Sequence, residues 1–300
     1  MNFDGSYYFG GTNGALLQES TVTDDGFIVD DTGKIVNMDD LGMDNLKPQL
    51  EKMLSGYQGT WSVYVKDLNE EKEILINDTS LYSASLIKAF VMAKTYEDME
   101  QVKADEAKKL NTADTKTVDV KLNDLLWNMI TVSDNDSANE LVRKLGGGDF
   151  QAGAAIVNAF CQERSYTSTH LGREFLASDP TDDNYTSASD CCRLLSDIYN
   201  SSLVNAEASA EMLALLTSQT KTAKIPAGVP SGTATANKTG ELADSGKLGV
   251  VENDIAIVFD KEHPYVLCVL SNNIKNNSSA QNTIKKISAD VYTYMTTKQK

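Results

Sequence analysis

The chain has 300 residues and a formal net charge of −16 at pH 7, with 43 acidic against 27 basic residues. A surface that binds nucleic acid or an anionic membrane needs a positive face, so this balance argues against either as the main partner. No apolar run approaches the roughly 18 residues of a membrane span. The start, MNFDGSYYFGG, shows neither the basic nor the apolar region of a signal peptide.

Residues 1–42 are rich in Gly, Thr and Asp, and we interpret them as an acidic tail or linker. Within them, GFIVDDTGKIV predicts a hairpin, because DTG is a turn signal. Apolar residues at helical spacing predict a helix over about 44–56, which Gly56 ends. Alternation in WSVYVKDLNEEKEILIND then predicts a β-hairpin.

From Ser85 onwards the apolar spacing becomes helical. Helices are predicted over about 85–100, 122–129, 138–145, 152–161 and 188–199. Strand patterns return at 255–259 and 265–270, and a last helix with an apolar stripe ends the chain. A helical block between two groups of strands predicts an α+β fold with an all-α lobe inserted.

The stretch LYSASLIKAF places Ser85 and Lys88 three residues apart in apolar surroundings. On a helix the two residues share a face, with roughly 5–6 Å between their Cβ atoms. A serine becomes a nucleophile when a base takes its proton, and a lysine of lowered pKa can be that base. A solvated surface lysine is the alternative, and for this motif alone it is favoured.

Two further motifs follow along the chain. Ser133-Asp134-Asn135 falls on a loop between helical segments, where Ser133 would relay a proton and Asn135 would hold a substrate amide. The alternative is a helix N-cap.

Lys238-Thr239-Gly240 ends a strand-like alternation in TATANKTGEL. Lys238 and Thr239 offer a cation and a hydroxyl to a carboxylate, and Gly240 would let a ligand approach the backbone closely. The alternative is a surface lysine at a strand end.

S-x-x-K, S-D-N and K-T-G in this order form the signature of class A β-lactamases and penicillin-binding proteins. Over residues 43–300 the chain resembles this superfamily of serine hydrolases, and SDNDSANELVRKLGG and DNYTSASDCCRLL extend the likeness. The resemblance implies an antiparallel five-stranded sheet flanked by terminal helices, with an inserted all-α lobe. The α/β part would comprise about 43–84 and 220–300, and the lobe about 85–219.

The resemblance also implies roles for individual residues. Ser85 would attack a β-lactam or D-alanyl carbonyl, with Lys88 as its base or proton relay. Ser133, held by Lys238, would pass a proton to the leaving nitrogen. The implied substrate-binding residues are Asn135, Thr239, Gly240 and Glu241. The oxyanion would lie between the backbone N–H groups of Ser85 and Glu241.

The chain departs from the family pattern in HLGREFLASDPTDDNYTS, which lacks the E-x-x-L-N setting of the base that activates the deacylating water. Glu174 is the only glutamate in this stretch and is the candidate for that base; an ordinary surface glutamate is the alternative. Asn184 stands where the family usually has an aspartate that pins the loop. Without a base, acylation would proceed and deacylation would stall.

Three functions remain open. The overall pattern favours a β-lactamase, and the altered loop favours a penicillin-binding D,D-peptidase-like protein with slow or no deacylation. An envelope binding module without turnover is the third, against which the intact motifs argue. A small β-lactam or D-alanyl peptide is the expected partner, with no cofactor.

The resemblance implies a monomer that is secreted or associated with the cell envelope, its leader and any lipid anchor being absent from this sequence. The four cysteines include no C-x-x-C pair, so we expect no metal site. Cys161 could bridge Cys191 or Cys192, whereas Cys268 lies in an apolar run that predicts burial.

Overall fold

The computed structural model describes residues 2–3, 6–7, 21–22, 28–30, 32–34, 46–70, 72–177, 182–243 and 249–297. The chain forms two compact units, Met1–Tyr57 with Asp290–Lys300, and Gln58–Ala289. All three sequence motifs lie in the second unit. No helix in the described part of the chain is long and apolar enough to cross a membrane.

The described residues of the first unit include four two-residue strands, which pair β1 with β2 and β3 with β4. Their bounds are Asn2–Phe3, Ser6–Tyr7, Thr21–Val22 and Ile28–Val29. A turn follows β4: the Asp30 N–H donates to the Lys34 carbonyl at 3.0 Å, and the Thr32 N–H donates to Asp30 Oδ1 at 2.8 Å. This is the turn predicted at DTG. Most of the predicted tail lies outside the described residues, so its role as a linker stays a prediction.

Helix α1 (Leu46–Ser55) confirms the helix predicted before Gly56. Its buried residues are Leu46, Leu50 and Leu54, spaced four apart. That spacing gives one apolar stripe, which is the pattern of an amphipathic helix.

A five-stranded antiparallel sheet forms the centre of the second unit, in the order β6-β5-β11-β10-β9. Its strands are β5 (Thr60–Asp67), β6 (Glu73–Ile76), β9 (Ala234–Leu242), β10 (Val251–Phe259) and β11 (Tyr265–Asn272). Val63 pairs with Ile76, which closes the predicted hairpin. The predicted α+β class and five-stranded sheet are confirmed.

Between β6 and β9 the chain is mostly helical. The helices are α2 (Ile87–Glu97), α3 (Met99–Lys109), α4 (Thr115–Trp127), α5 (Asn135–Leu145), α6 (Phe150–Glu163), α7 (Ala188–Tyr199), α8 (Ala206–Thr217) and the single turn α9 (Ile225–Gly228). A short pair joins β7 (Leu81–Tyr82) to β8 (Tyr185–Thr186). Helix α10 (Asn277–Thr297) ends the described chain.

The structure differs from the predicted helices in several places, among them α4, which begins at Thr115 and not near residue 122, and the unpredicted α3 and α9. The helix predicted over 85–100 ends at Asp98, which caps both α2 and α3. Helix α8 was not predicted, because AEASAEMLALLT carries apolar residues on several faces and shows no single stripe.

Helix α2 lies in the core of the second unit. Every residue from Ile87 to Ala93 is buried, Lys88 included. A helix that is apolar around its whole circumference is typical of a fully buried element. The lysine of the first motif is therefore enclosed by the fold instead of lying on its surface.

Candidate active site

A strained turn presents Ser85. The residue lies in a 3₁₀ helix (Ala84–Leu86) directly before α2. Ala84 has φ of 46°, a left-handed conformation that is uncommon for any residue with a Cβ. Ser85 is half-buried and lines a cavity of about 350 Å³.

Gly240 allows strand β9 to pack against this turn. A Cβ added at Gly240 would lie 2.6 Å from the Ser83 carbonyl oxygen and 3.2 Å from the Leu86 nitrogen. The close backbone approach predicted for a ligand is therefore made by the chain itself. A role of Gly240 in substrate binding stays a prediction.

Lys88 lies one turn after Ser85 and is fully buried. Its ammonium donates to the Ser133 carbonyl at 2.7 Å, to Asn135 Oδ1 at 2.8 Å and to Ser133 Oγ at 3.4 Å. Loss of hydration on burial lowers the Lys88 pKa to about 7. The surface-lysine alternative is wrong, and the amine is available as a base near neutral pH.

The Ser133 hydroxyl lies between two lysines. Lys238 donates to Ser133 Oγ at 2.9 Å and to the Thr239 carbonyl at 3.0 Å. Lys238 is also fully buried, and burial together with the charge of Lys88 holds its pKa well below the usual value. The structure thus brings the second and third motifs together at one hydroxyl.

The N-cap interpretation of the S-D-N motif holds for Asp134, and the roles of Ser133 and Asn135 stay predictions. Asp134 is the N-cap of α5, and its carboxylate accepts the Ser137 N–H at 2.7 Å. Ser133 and Asn135, on either side of it, contact Lys88. One short segment therefore starts a helix and supplies the polar groups of the site.

A π-helix (Asn128–Val132) leads into Ser133, which has φ of 63°. Its carbonyls are bonded by the segment after α8: Gln219 Nε2 donates to Ile130 O at 2.8 Å, and the Thr220 N–H donates to Thr131 O at 3.0 Å. The donors from Gln219 and Thr220 stabilise the irregular segment that leads into Ser133.

Asn184 anchors the loop that follows His170. Its Oδ1 accepts the N–H groups of Gly172 at 2.9 Å and Arg173 at 3.1 Å. Arg173 in turn donates to Asp183 at 2.7 Å and to the Tyr82 hydroxyl at 2.9 Å. The Asn184 amide thus holds this loop in place, at a position where the family usually has an aspartate.

Phe175 occupies the space beside Lys88. The Asn139 side chain clamps its backbone, accepting the Phe175 N–H at 2.9 Å and donating to the Phe175 carbonyl at 3.2 Å. The ring centroid lies 4.6 Å from Lys88 Nζ, within the range of a cation–π contact. Phe175 is not among the predicted site residues, although Asn139 lies in the stretch that resembles the family.

Glu174 does not line the cavity. Its carboxylate pairs with Arg143 at 2.6 Å, and 38% of its side chain is exposed. The geometry gives no support to Glu174 as the base for deacylation and agrees with the alternative of a surface glutamate.

The cavity wall combines apolar groups with a few charges. Its lining residues are Tyr82, Ala84, Ser85, Ser133, Asn135, Arg173, Phe175, Leu176, Ala177, Asn184, Lys221, Thr239, Glu241 and Leu242. Glu241 supplies the only carboxylate among these described residues, and it is paired with Lys221 at 3.0 Å and Lys224 at 3.1 Å. The predicted Ser85, Ser133, Asn135, Thr239 and Glu241 therefore share one cavity.

All four cysteines are free and buried, so no bridge joins Cys161 to Cys191 or Cys192. Within the described ranges, His, Cys, Asp and Glu side chains form no group of three that could hold a metal ion.

The five-stranded sheet and the helices inserted into it form the fold of β-lactamases. The model of the β-lactamase enzyme family matches residues 45–295, and the chain belongs to this family. No curated protein matches the sequence at a significant level.

Solved structures share the fold at low sequence identity. The chain is similar to PBP-A, with 20% identity and a TM-score of 0.67, over 83% of this chain and 95% of that one. It is similar to the extended-spectrum β-lactamase TLA-3, with 18% identity and a TM-score of 0.71, over 84% and 99%. It is also similar to a variant of the class A β-lactamase of the last common ancestor of Gram-negative bacteria. The sequence identity is 21% and the TM-score is 0.67, over 82% of this chain and 97% of that one.

Proposed function

We propose that the protein is a serine hydrolase that β-lactams acylate at Ser85. The observation that carries this proposal is the Ser133 hydroxyl held between Lys88 and Lys238, at 3.4 Å and 2.9 Å. Two buried amines of lowered pKa on one hydroxyl form a proton relay that can run in either direction.

In the proposed acylation, neutral Lys88 takes the Ser85 proton while Ser85 Oγ attacks the lactam carbonyl. The bond from the carbonyl carbon to the ring nitrogen then breaks. The nitrogen receives a proton from Ser133, which regains one from the lysine pair. The backbone N–H groups of Ser85 and Glu241 are proposed to hold the oxyanion, a contribution of about 3–4 kcal/mol in comparable sites.

Release of the acyl group is proposed to be slow. Hydrolysis of the ester needs a water with a base beside it. Beside Lys88 the loop supplies the Phe175 ring, and Glu174 is paired with Arg143. These contacts favour the penicillin-binding form of the activity over rapid β-lactam hydrolysis. The proposed acylating groups, on Ser85, Lys88, Ser133 and Lys238, are all present. Their presence argues against a binding module without chemistry.

Intact mass and colour tests separate these functions. Purified protein is mixed with a chromogenic cephalosporin and with benzylpenicillin, and the adduct mass and the colour are followed over time. We expect one stable adduct per chain, which Ser85→Ala abolishes, and little colour beyond the first turnover. Many turnovers would show a β-lactamase proper, and the lack of any adduct or turnover would overturn the proposed acylation. Release of D-alanine from a D-alanyl-D-alanine peptide tests the peptidase alternative.

We further propose a monomer that is secreted or associated with the cell envelope, because the family acts on cell-wall peptides or on the drugs that resemble them. Fractionation of the producing cell tests the location, and light scattering tests the monomer.

A further inference from the structure

We infer that Asn253 is a positioning residue for the proposed reaction, and that its side-chain amide fixes the turn carrying Ser85 to the sheet. The inference rests on the proposed acylation at Ser85 and adds a group that none of the three motifs contains. Asn253 lies in β10 and is fully buried. It is not among the described residues that line the cavity, so it would act on the reaction only through the main chain of the site.

The side chain of Asn253 lies where the regular pairing of two central strands stops. Within the described residues, the register of β10 with β11 ends at Asp254, opposite Val269. Beyond that point the Ser271 N–H donates to Asn253 Oδ1 at 2.8 Å. An amide side chain therefore continues the contact between the two strands, in place of a main-chain carbonyl.

The nitrogen of the same amide holds the turn before Ser85. Asn253 Nδ2 donates to the carbonyl of Tyr82 at 3.1 Å and to the carbonyl of Ser83 at 3.2 Å. A side-chain amide has two N–H donors and a carbonyl acceptor, and in Asn253 all of them bond main-chain groups. One buried side chain thus joins β10, β11 and the segment that leads into the nucleophile.

The turn needs this support because its backbone is strained. Ala84 has φ of 46°, and such a conformation persists only where the surrounding structure fixes it. The two carbonyls that Asn253 bonds belong to the residues directly before Ala84. The Ser83 carbonyl also accepts the Leu86 N–H at 3.0 Å, which closes the turn on the other side of Ser85. Ser85 therefore lies between two points that are fixed through one carbonyl.

Asn253 also connects the two proposed oxyanion donors. Its main chain lies opposite Gly240 in the register of β9 with β10. The next residue in β9 is Glu241, whose N–H is one proposed donor, and the N–H of Ser85 is the other. The strand that supplies one donor and the turn that supplies the other are therefore both held by Asn253. A displacement of about 1 Å between groups of this kind can lower a rate by about 100-fold.

A purely structural role is the alternative, since buried carbonyls normally have a hydrogen-bond partner. The two roles differ in what they change. Loss of a structural hydrogen bond lowers the fraction of molecules that are folded. Loss of positioning lowers the acylation rate constant of the molecules that are folded.

The test measures acylation by benzylpenicillin at saturating concentrations. Stopped-flow kinetics give the dissociation constant of the noncovalent complex and the rate constant of acylation, and the final adduct by intact mass gives the competent fraction. We expect Asn253→Ser to lower the rate constant about 10- to 100-fold, because the shorter side chain cannot bond both carbonyls. The dissociation constant should change less than about twofold. Asn253→Asp keeps the shape of the side chain but has no N–H to donate, and the same loss is expected.

Ser209→Ala is the control for lost stability. Ser209 is buried in α8 and donates to the Leu203 carbonyl at 2.8 Å, so this variant also loses a buried hydrogen bond to the main chain. It should lower the melting temperature by about 2–4 °C and leave both acylation constants within about twofold. A rate constant within twofold of the wild-type value in folded Asn253→Ser and Asn253→Asp would overturn the inference. An equal loss of rate in Ser209→Ala would overturn it too.

If benzylpenicillin does not acylate the wild-type chain, the proposed function fails, and a fluorophosphonate then tests the inference alone. Ser85 Oγ attacks the phosphorus of this probe, fluoride leaves, and the serine proton passes to a base. Labelling that Ser85→Ala abolishes, and that Asn253→Ser slows about tenfold or more while Ser209→Ala does not, supports the inference. Equal labelling rates in the wild-type chain and Asn253→Ser overturn it, and so does a wild-type Ser85 that is not labelled.

Discussion

Lys88 and Lys238 are two amines that the fold buries completely. The hydrogen bonds they donate go to neutral oxygens of Ser133, Asn135 and Thr239. Desolvation outweighs the attraction of nearby carboxylates such as Asp134 and Asp254, so both pKa values fall. Buried amines of lowered pKa destabilise a folded protein, and they are typical of functional sites.

The pKa of Lys88 should set the pH dependence of the proposed acylation. The amine must be neutral to take the Ser85 proton, so the rate should rise with pH and level off above a midpoint at about 7. Below the midpoint the rate should fall about tenfold per pH unit, because only the neutral fraction reacts. Stopped-flow acylation between pH 5 and 9 measures this, with a circular dichroism scan as the control for folding. A flat profile would contradict the role of Lys88 as base.

Phe175 is the residue that we expect to limit deacylation. Phe175→Glu places a carboxylate where the ring contacts Lys88, and decay of the adduct should speed up by about 100-fold or more, the usual contribution of a general base. Phe175→Gln has the same shape without the base and should change the decay only a few-fold. Equal acceleration in both variants would show that the ring excludes water and that the missing base is not the cause.

At the scale of elements, the contact between β9 and the 3₁₀ turn determines where Ser85 lies. Gly240→Ala forces a Cβ to within 2.6 Å of the Ser83 carbonyl. We expect at least about a tenfold loss in acylation rate, and a melting temperature lower by about 3–10 °C from overpacking. Gly56→Ala is the control, since its Cβ would meet Met53 O at an ordinary 3.5 Å. Acylation at the wild-type rate by Gly240→Ala would contradict the positioning role.

The sequence predicted the elements better than it predicted their junctions. Helix α7 and the β5–β6 hairpin follow from apolar periodicity, and the three motifs follow from residue type and order. The π-helix before Ser133 leaves no periodic signal, since its carbonyls depend on Gln219 and Thr220, about 90 residues later. Only the tertiary structure brings these segments together.

The candidate site was predictable in the same partial way. Ser85, Lys88, Ser133 and Lys238 could be named because motifs carry them. Phe175 and Lys221 could not be identified, because a phenylalanine in a loop and a lysine after a helix have many ordinary explanations. The position of Phe175 depends on its hydrogen bonds to Asn139. The position of Lys221 depends on two hydrogen bonds of its main chain: its N–H donates to Gln219, and its carbonyl accepts from Asn237.

At the scale of the second unit, a buried ion pair ties the sheet to the last helix. Lys224 donates to Glu252 at 2.7 Å, and Glu252 also accepts from Asn277 at 2.9 Å and Gln281 at 3.0 Å. Lys224→Met would leave Glu252 buried without its cation. We expect the free energy of unfolding to fall by about 3–5 kcal/mol, which denaturant titration measures.

The exposed pair of Lys108 with Asp105 provides the control for that experiment. Lys108→Met should change the free energy of unfolding by no more than about 0.5 kcal/mol, because exposed ion pairs contribute little. Adding Glu252→Gln to Lys224→Met should restore part of the loss, since the uncompensated charge is then removed. An equal change in the free energy of unfolding for Lys224→Met and Lys108→Met would show that the buried pair stabilises the fold no more than the exposed pair.

The burial of all four thiols has a practical consequence. Burial raises the pKa of Cys161 to about 12, and the thiolate is the form that reacts with alkylating dyes. Leu176, on the cavity rim, is 81% exposed. A Leu176→Cys chain would thus carry one dye-reactive position, and a fluorophore attached there would report the arrival and departure of acyl donors in real time without any change to the rest of the molecule.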